Sequence, residues 1–93
     1  MAVTISQEAG IIRMTAAADS VTGAYFVKSW RWVGDAIAAG DDLSITDPVT
    51  GEVLVETVAS GADYAEEALV ERWWRNGATV TTMSAGTFYL HYL

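Results

Sequence analysis

The residues with the most chemical potential in this chain are a single histidine and two groups of acids. His91 stands between Leu90 and Tyr92 near the end of the sequence. A catalytic histidine needs a nucleophile and an orienting carboxylate, and a metal-binding one needs further ligands. Folding could bring Glu56 or Asp19 to it. With no second histidine and no cysteine, a zinc site is not expected. Asp41, Asp42 and Asp47 surround Leu43-Ser-Ile-Thr46, and calcium takes several carboxylate oxygens from one loop. These acids bracket a strand rather than alternate in a loop, so turn chemistry is the simpler reading: aspartates accept backbone hydrogen bonds at strand ends. Glu66, Glu67 and Glu71 accompany Arg72 and Arg75 beside Trp73 and Trp74. Paired carboxylates about 5–9 Å apart across a cleft can hydrolyse glycosides, yet a domain of this size offers little room for such a cleft. No Gly-rich phosphate loop, nucleophile motif or redox motif occurs. The sequence therefore predicts no enzyme, no metal and no cofactor.

The elements that must position these residues read as strands. Turn signals recur roughly every eight to twelve residues, the rhythm of a small sandwich or barrel. Ile11–Thr15 is a first strand, and Ala24–Val33, between Gly23 and Gly34, is the strongest. Strict alternation gives the latter one face of Tyr25, Val27, Ser29, Arg31 and Val33, and another of Phe26, Lys28, Trp30 and Trp32. Both faces carry large apolar groups, as in a strand covered on both sides, which hints at a subunit contact. Trp30 and Trp32 share a face that is either a core slab or an exposed aromatic platform. Asp35–Asp41 reads as a loop or a short turn of helix. Leu43–Thr46 and Glu52–Val58 form a hairpin around Asp47-Pro-Val-Thr-Gly51, a chemically specified tight turn. Ala62–Glu71 has helix-forming residues but is too short for a stable helix alone. It reads as a loop across one end of the sandwich, with at most one helical turn. Leu69–Trp74 reads alternatively as a strand leading into Asn76-Gly77, a common hairpin dipeptide. In a strand, Trp73 and Trp74 point to opposite sides. Thr79–Met83 and Phe88–Leu93 form the final pair, with Phe88, Leu90 and Tyr92 facing the core and Tyr89, His91 and Leu93 facing a neighbouring subunit.

Composition sets the scale. Ninety-three residues make one domain, 1–93, close to the size where a single core only just suffices. The chain is 52% hydrophobic with four Trp, four Tyr and two Phe, a surplus that suits either a thin sandwich with bulky core residues or a protein interface. Five basic residues against twelve acidic ones give a formal charge of −7. The basic residues are Arg13, Lys28, Arg31, Arg72 and Arg75, too few and too scattered to drive nucleic-acid binding or attraction to an anionic membrane. No apolar run approaches the roughly 20 residues of a membrane span. MAVTISQEAG lacks the basic and apolar regions of a secretory signal, and the expectation is a soluble protein made in a cytoplasm. The fold class expected is all-β: a small antiparallel β-sandwich or barrel with Greek-key or meander connections and at most one short helix.

Several stretches carry a resemblance. They are Ile12–Asp19, VKSWRWVG (Val27–Gly34), ITDPVTGEVLVETVASGADY (Ile45–Tyr64) and NGATVTTMSAGTFYLHYL (Asn76–Leu93). Together they cover most of the chain, and it resembles small β-rich structural proteins of tailed bacteriophages. The resemblance implies a virion component, foremost a capsid decoration (cement) protein, with a head–tail or tail accessory protein as the alternative. It implies the major capsid protein or other virion proteins as partners, and a dimer or trimer on capsid symmetry positions. It carries no catalytic residues. A different class of reading is a carbohydrate-binding β-module that stacks sugars on Trp30/Trp32 or Trp73/Trp74. The residues singled out for contact are Tyr25, Trp30, Trp32, Trp73, Trp74, Tyr89, His91 and Leu93.

Overall fold

The computed structural model describes residues 3–6, 10–34, 36–61 and 65–93, and all regular structure among them is β. The strands are β1 (Val3–Ser6), β2 (Ile11–Met14), β3 (Ser20–Val21), β4 (Tyr25–Val33) and β5 (Asp42–Thr46). They continue with β6 (Val53–Val58), β7 (Ala65–Trp74), β8 (Ala78–Met83) and β9 (Thr87–Tyr92). Two antiparallel sheets form a sandwich. Sheet A has the order β1-β2-β9-β4-β7 and sheet B the order β3-β8-β5-β6. Among the described strands, only β1–β2 and β5–β6 are consecutive and paired with each other; the other consecutive strands lie in different sheets.

The core lies between the sheets. Ile12, Met14, Val27, Trp30, Trp32, Trp74, Phe88 and Leu90 come from sheet A, and Leu43, Ile45, Val55, Ala78, Val80 and Met83 from sheet B. Each large side chain so buried contributes about 1.5–3 kcal/mol relative to exposure. Trp30 stacks on Phe88 with centroids 6.1 Å apart. Trp32 donates its indole N–H to the carbonyl of Ala85 at 2.9 Å, which ties the β8–β9 turn to β4.

The alternation expected for β4 is interrupted. Val27 pairs with Tyr92 and Ser29 with His91, so a two-residue step on β4 meets a one-residue step on β9. Lys28 is the extra, exposed residue of a β-bulge. The bulge shifts the phase, placing Val27 on the same inner side as Trp30 and Trp32. Tyr25 joins them at the core's edge, packed edge-on against Tyr92 at 5.0 Å. The two apolar faces read from the sequence are thus largely one. Strict alternation put Tyr25 and Val27 opposite the tryptophans, and the subunit contact inferred from that doubling loses its basis.

Two expected hairpins are also replaced. Asn76-Gly77 does turn the chain, with Gly77 at φ +90°, but β7 pairs with β4 while β8 pairs with β3 and β5. The turn is a corner between sheets, burying Trp74 from one and Ala78 from the other. A Cβ on Gly77 would overlap the carbonyl oxygen of Val21. The expected β8–β9 pair fails in the same way, because Ser84–Gly86 carries the chain from sheet B to sheet A. The loop or helical turn expected over Ala62–Glu71 is instead the start of β7, a ten-residue edge strand; residues 62–64 lie outside those described, as does Asp35 of the loop before β5. Pairing with β4 overrides the helix propensity of Ala65–Glu71, and Glu71 takes a left-handed conformation at φ +54°.

The β5–β6 hairpin forms as expected. Asp47 accepts the N–H groups of Val49 and Thr50 at 2.8 and 2.9 Å, and Gly51 closes the turn by donating to the Asp47 carbonyl. Gly51 sits at φ +76°, a conformation cheap only for glycine.

Candidate functional site

The residues expected to do chemistry are not brought together. His91 lies on the outer side of sheet A between Ile11 and Ser29 of the flanking strands. Glu56 is exposed on β6 of the other sheet, paired beside Ser44. Asp19 is fully buried in the turn before β3, where one carboxylate oxygen accepts the N–H groups of Thr15 and Ala16. Asp41 accepts the Ala38 N–H, Asp42 the Ser84 hydroxyl, and Asp47 caps the β5–β6 turn. Glu66 accepts the Thr57 hydroxyl at 2.7 Å; Glu67, its neighbour in a strand, points to the opposite side. These glutamates do not face each other across a cleft. Among the described residues, no group of three or more His, Asp or Glu is arranged to hold a metal ion.

The four tryptophans divide unequally. Trp30, Trp32 and Trp74 are core residues, so neither sequence pair forms an exposed platform, and these three are not surface contact residues. Of the two readings open for Trp30 and Trp32, the core slab is the one realised. Trp73 is 51% exposed and meets Phe26 edge-on at 5.7 Å. The other contact candidates separate likewise. Tyr25 is turned inward at the margin of the core, while Tyr89 and His91 are half-buried and Leu93 is 76% exposed.

Register assembles a continuous surface from these pieces. Across β2, β9, β4 and β7, the outer face of sheet A carries the row Arg13, Tyr89, Arg31, Glu67. The next row is Ile11, His91, Ser29, Leu69. Beyond it Phe26 stands between Trp73, its register partner on β7, and Leu93, whose N–H donates to the Phe26 carbonyl. Leu69 is 78% exposed. The face is therefore aromatic and aliphatic at one end and cationic around a tyrosine at the other.

Sheet B presents a different surface. Its outward residues include Ser44, Thr46, Glu56, Thr79 and Thr82, with hydroxyls bonded across strands: Ser20 to Thr79 at 2.9 Å and Thr46 to Thr81 at 2.7 Å. Exposed apolar groups there are Val53 and Val58, at the two ends of the edge strand β6. Among the described residues, the outward aromatic side chains, Phe26, Trp73 and Tyr89, thus all belong to sheet A.

The sequence supplied Trp73, Tyr89, His91 and Leu93 of this surface but not Arg13, Phe26, Arg31, Glu67 or Leu69. Strand order alone aligns those five, and the bulge at Lys28 decides which way Phe26 and Arg31 point. What the geometry defines is a two-sheet antiparallel β-sandwich with one amphipathic and one hydroxyl-rich outer face. Comparison of the chain with protein-family models, curated proteins and solved structures gave no match.

Proposed function

We propose that this chain is a non-enzymatic structural subunit of a bacteriophage virion, of the capsid decoration type, assembling through the outer face of sheet A. The observation that carries the reading is the gathering on that face of the exposed Trp73, Leu69 and Leu93 with the half-buried Tyr89 and the exposed Arg13 and Arg31. Aromatic residues and arginine are the groups enriched where proteins meet. A sandwich that needed only to stay soluble would gain nothing from concentrating them on one side. The sequence resemblance supplies the virion, and the face supplies the means of contact. Its partners are virion proteins, the major capsid protein foremost. The site of action is the particle, after synthesis in the bacterial cytoplasm.

The experiment is co-sedimentation of purified protein with assembled virions and with empty capsid shells. Retention that is lost in Trp73→Ala or Leu69→Lys, both folded by circular dichroism, supports the reading. A protein that ignores both particles would sink it, and retention on isolated tails alone would move the subunit from head to tail.

A further inference from the structure

We infer that the outer face of sheet A is self-complementary and joins two copies of this chain across a twofold axis running along the seam between β9 and β4. The inference rests on that face being the contact surface and names a second copy as its occupant, so that the virion meets the dimer and not the open face. A twofold axis lying in the interface, parallel to the strands, reverses strand order across the contact and preserves position along the strands. It therefore sets β2 over β7 of the second copy, and β9 over β4.

Applied to the observed rows, this operation pairs unlike charges. Arg13 falls opposite Glu67 of the second copy, and Glu67 opposite its Arg13. Tyr89 falls opposite Arg31, a cation over an aromatic face. In the next row Ile11 meets Leu69 and His91 meets Ser29. At the far end Leu93 meets Phe26, with Trp73 alongside. Arg13, Arg31 and Glu67 are all exposed, so their charges are available to a partner. The other in-plane twofold, running across the strands, sets no acid opposite a base in these rows: it lays Arg31 over Phe26, again a cation over an aromatic ring, but places Glu67 over Trp73. Packed sheets usually cross at about 30°, which offsets the outer strands more than the central ones. Tyr89 and Arg31 lie next to the axis, and the long side chains of Arg13 and Glu67 can span the offset at the rim. An isologous contact of this kind closes on itself as a dimer, and its rim charges weaken with salt.

The test is sedimentation velocity across a concentration series on the wild type, Arg13→Glu, Glu67→Arg and the double variant R13E/E67R, each checked for fold by circular dichroism. The expected result is a wild-type dimer and a dissociation constant raised about tenfold in each single variant. The double swap should restore it to near the wild-type value. A wild-type monomer at high micromolar concentration would overturn the inference. So would a dimer indifferent to both single substitutions, or a double variant no tighter than the singles. A monomer that still co-sediments with virions would remove the dimer and keep the contact face. A dimer that ignores virions would keep the self-contact and remove the virion role.

Discussion

Asn76 donates its side-chain amide to both carboxylate oxygens of Asp47, at 3.0 and 3.3 Å. One acid thereby joins the β5–β6 turn to the corner where the chain leaves sheet A for sheet B. The Thr50 N–H, above all, holds the Asp47 carboxyl below the usual carboxylate range; Val49 and Asn76 add to this, against an opposing push from partial burial. A lowered folded-state value means that the ionised form is favoured in the native protein. Its stabilisation is complete above the unfolded-state value of about 3.9 and is lost as pH falls through the lower folded value. Asp47→Asn should melt below the wild type at pH 7, with the gap closing toward pH 2. Thermal denaturation at pH 7, 4 and 2 measures it, and a gap that stays constant with pH would count against this role.

Gly77 and Gly51 separate two costs of a side chain. Both adopt positive φ, but a Cβ at Gly51 meets no atom within 4 Å while one at Gly77 runs into the Val21 backbone. Gly51→Ala should cost about 1–2 kcal/mol for the left-handed conformation alone. Gly77→Ala should cost measurably more, because β3 must move away from β8. Urea denaturation of the two variants gives the difference; equal values would mean that the corner tolerates displacement.

The tryptophans should respond by position. Trp32→Ala empties a fully buried site and removes the bond to Ala85, at a cost of about 3–5 kcal/mol. Trp73→Ala loses its edge-on contact with Phe26, worth about 0.5–1.5 kcal/mol, and its main effect should fall on association. Melting temperatures together with light scattering distinguish the two. A Trp73→Ala protein as unstable as Trp32→Ala would place Trp73 among the core residues in function.

The bulge at Lys28 predicts that this position tolerates both substitution and deletion. Lys28→Ala changes an exposed side chain and should stay within about 0.5 kcal/mol of wild type. Deleting Lys28 makes the steps on β4 and β9 equal and leaves Tyr25, Val27, Trp30 and Trp32 on one face under strict alternation. Near-ultraviolet circular dichroism should therefore show native core packing in the deletion. Loss of that packing would mean that β4 needs the local twist of the bulge to pair with its neighbours.

What the sequence disclosed was local. Asp47-Pro48 and Gly51 contain the chemistry of their own turn, so the β5–β6 hairpin was legible, and so were the strands themselves and the all-β class. The inward set Phe88 and Leu90 on β9 followed from simple alternation. Asn76-Gly77 specified a turn but not which sheet would receive the next strand, since that depends on β3 and β5. Lys28 carried no mark of a bulge, because the extra residue is defined only against β9. The contact face was half visible for a related reason: Tyr89 and His91 belong to one strand, whereas Arg13, Arg31 and Glu67 become neighbours only once four strands are aligned.

The place of β9 in sheet A has a consequence for how the molecule comes together. Lying between β2 and β4, it is the one strand whose removal would leave β1–β2 and β4–β7 as two separate ribbons. Neither ribbon can complete a hydrophobic layer over sheet B by itself. Assembly therefore waits on a pairing of residues far apart in sequence, the kind of closure that makes folding slow and its final step all-or-none. The same dependence runs backward: once β9 lets go, β2 and β4 lose each other at the same moment, and amide exchange across all three strands should share a single opening energy.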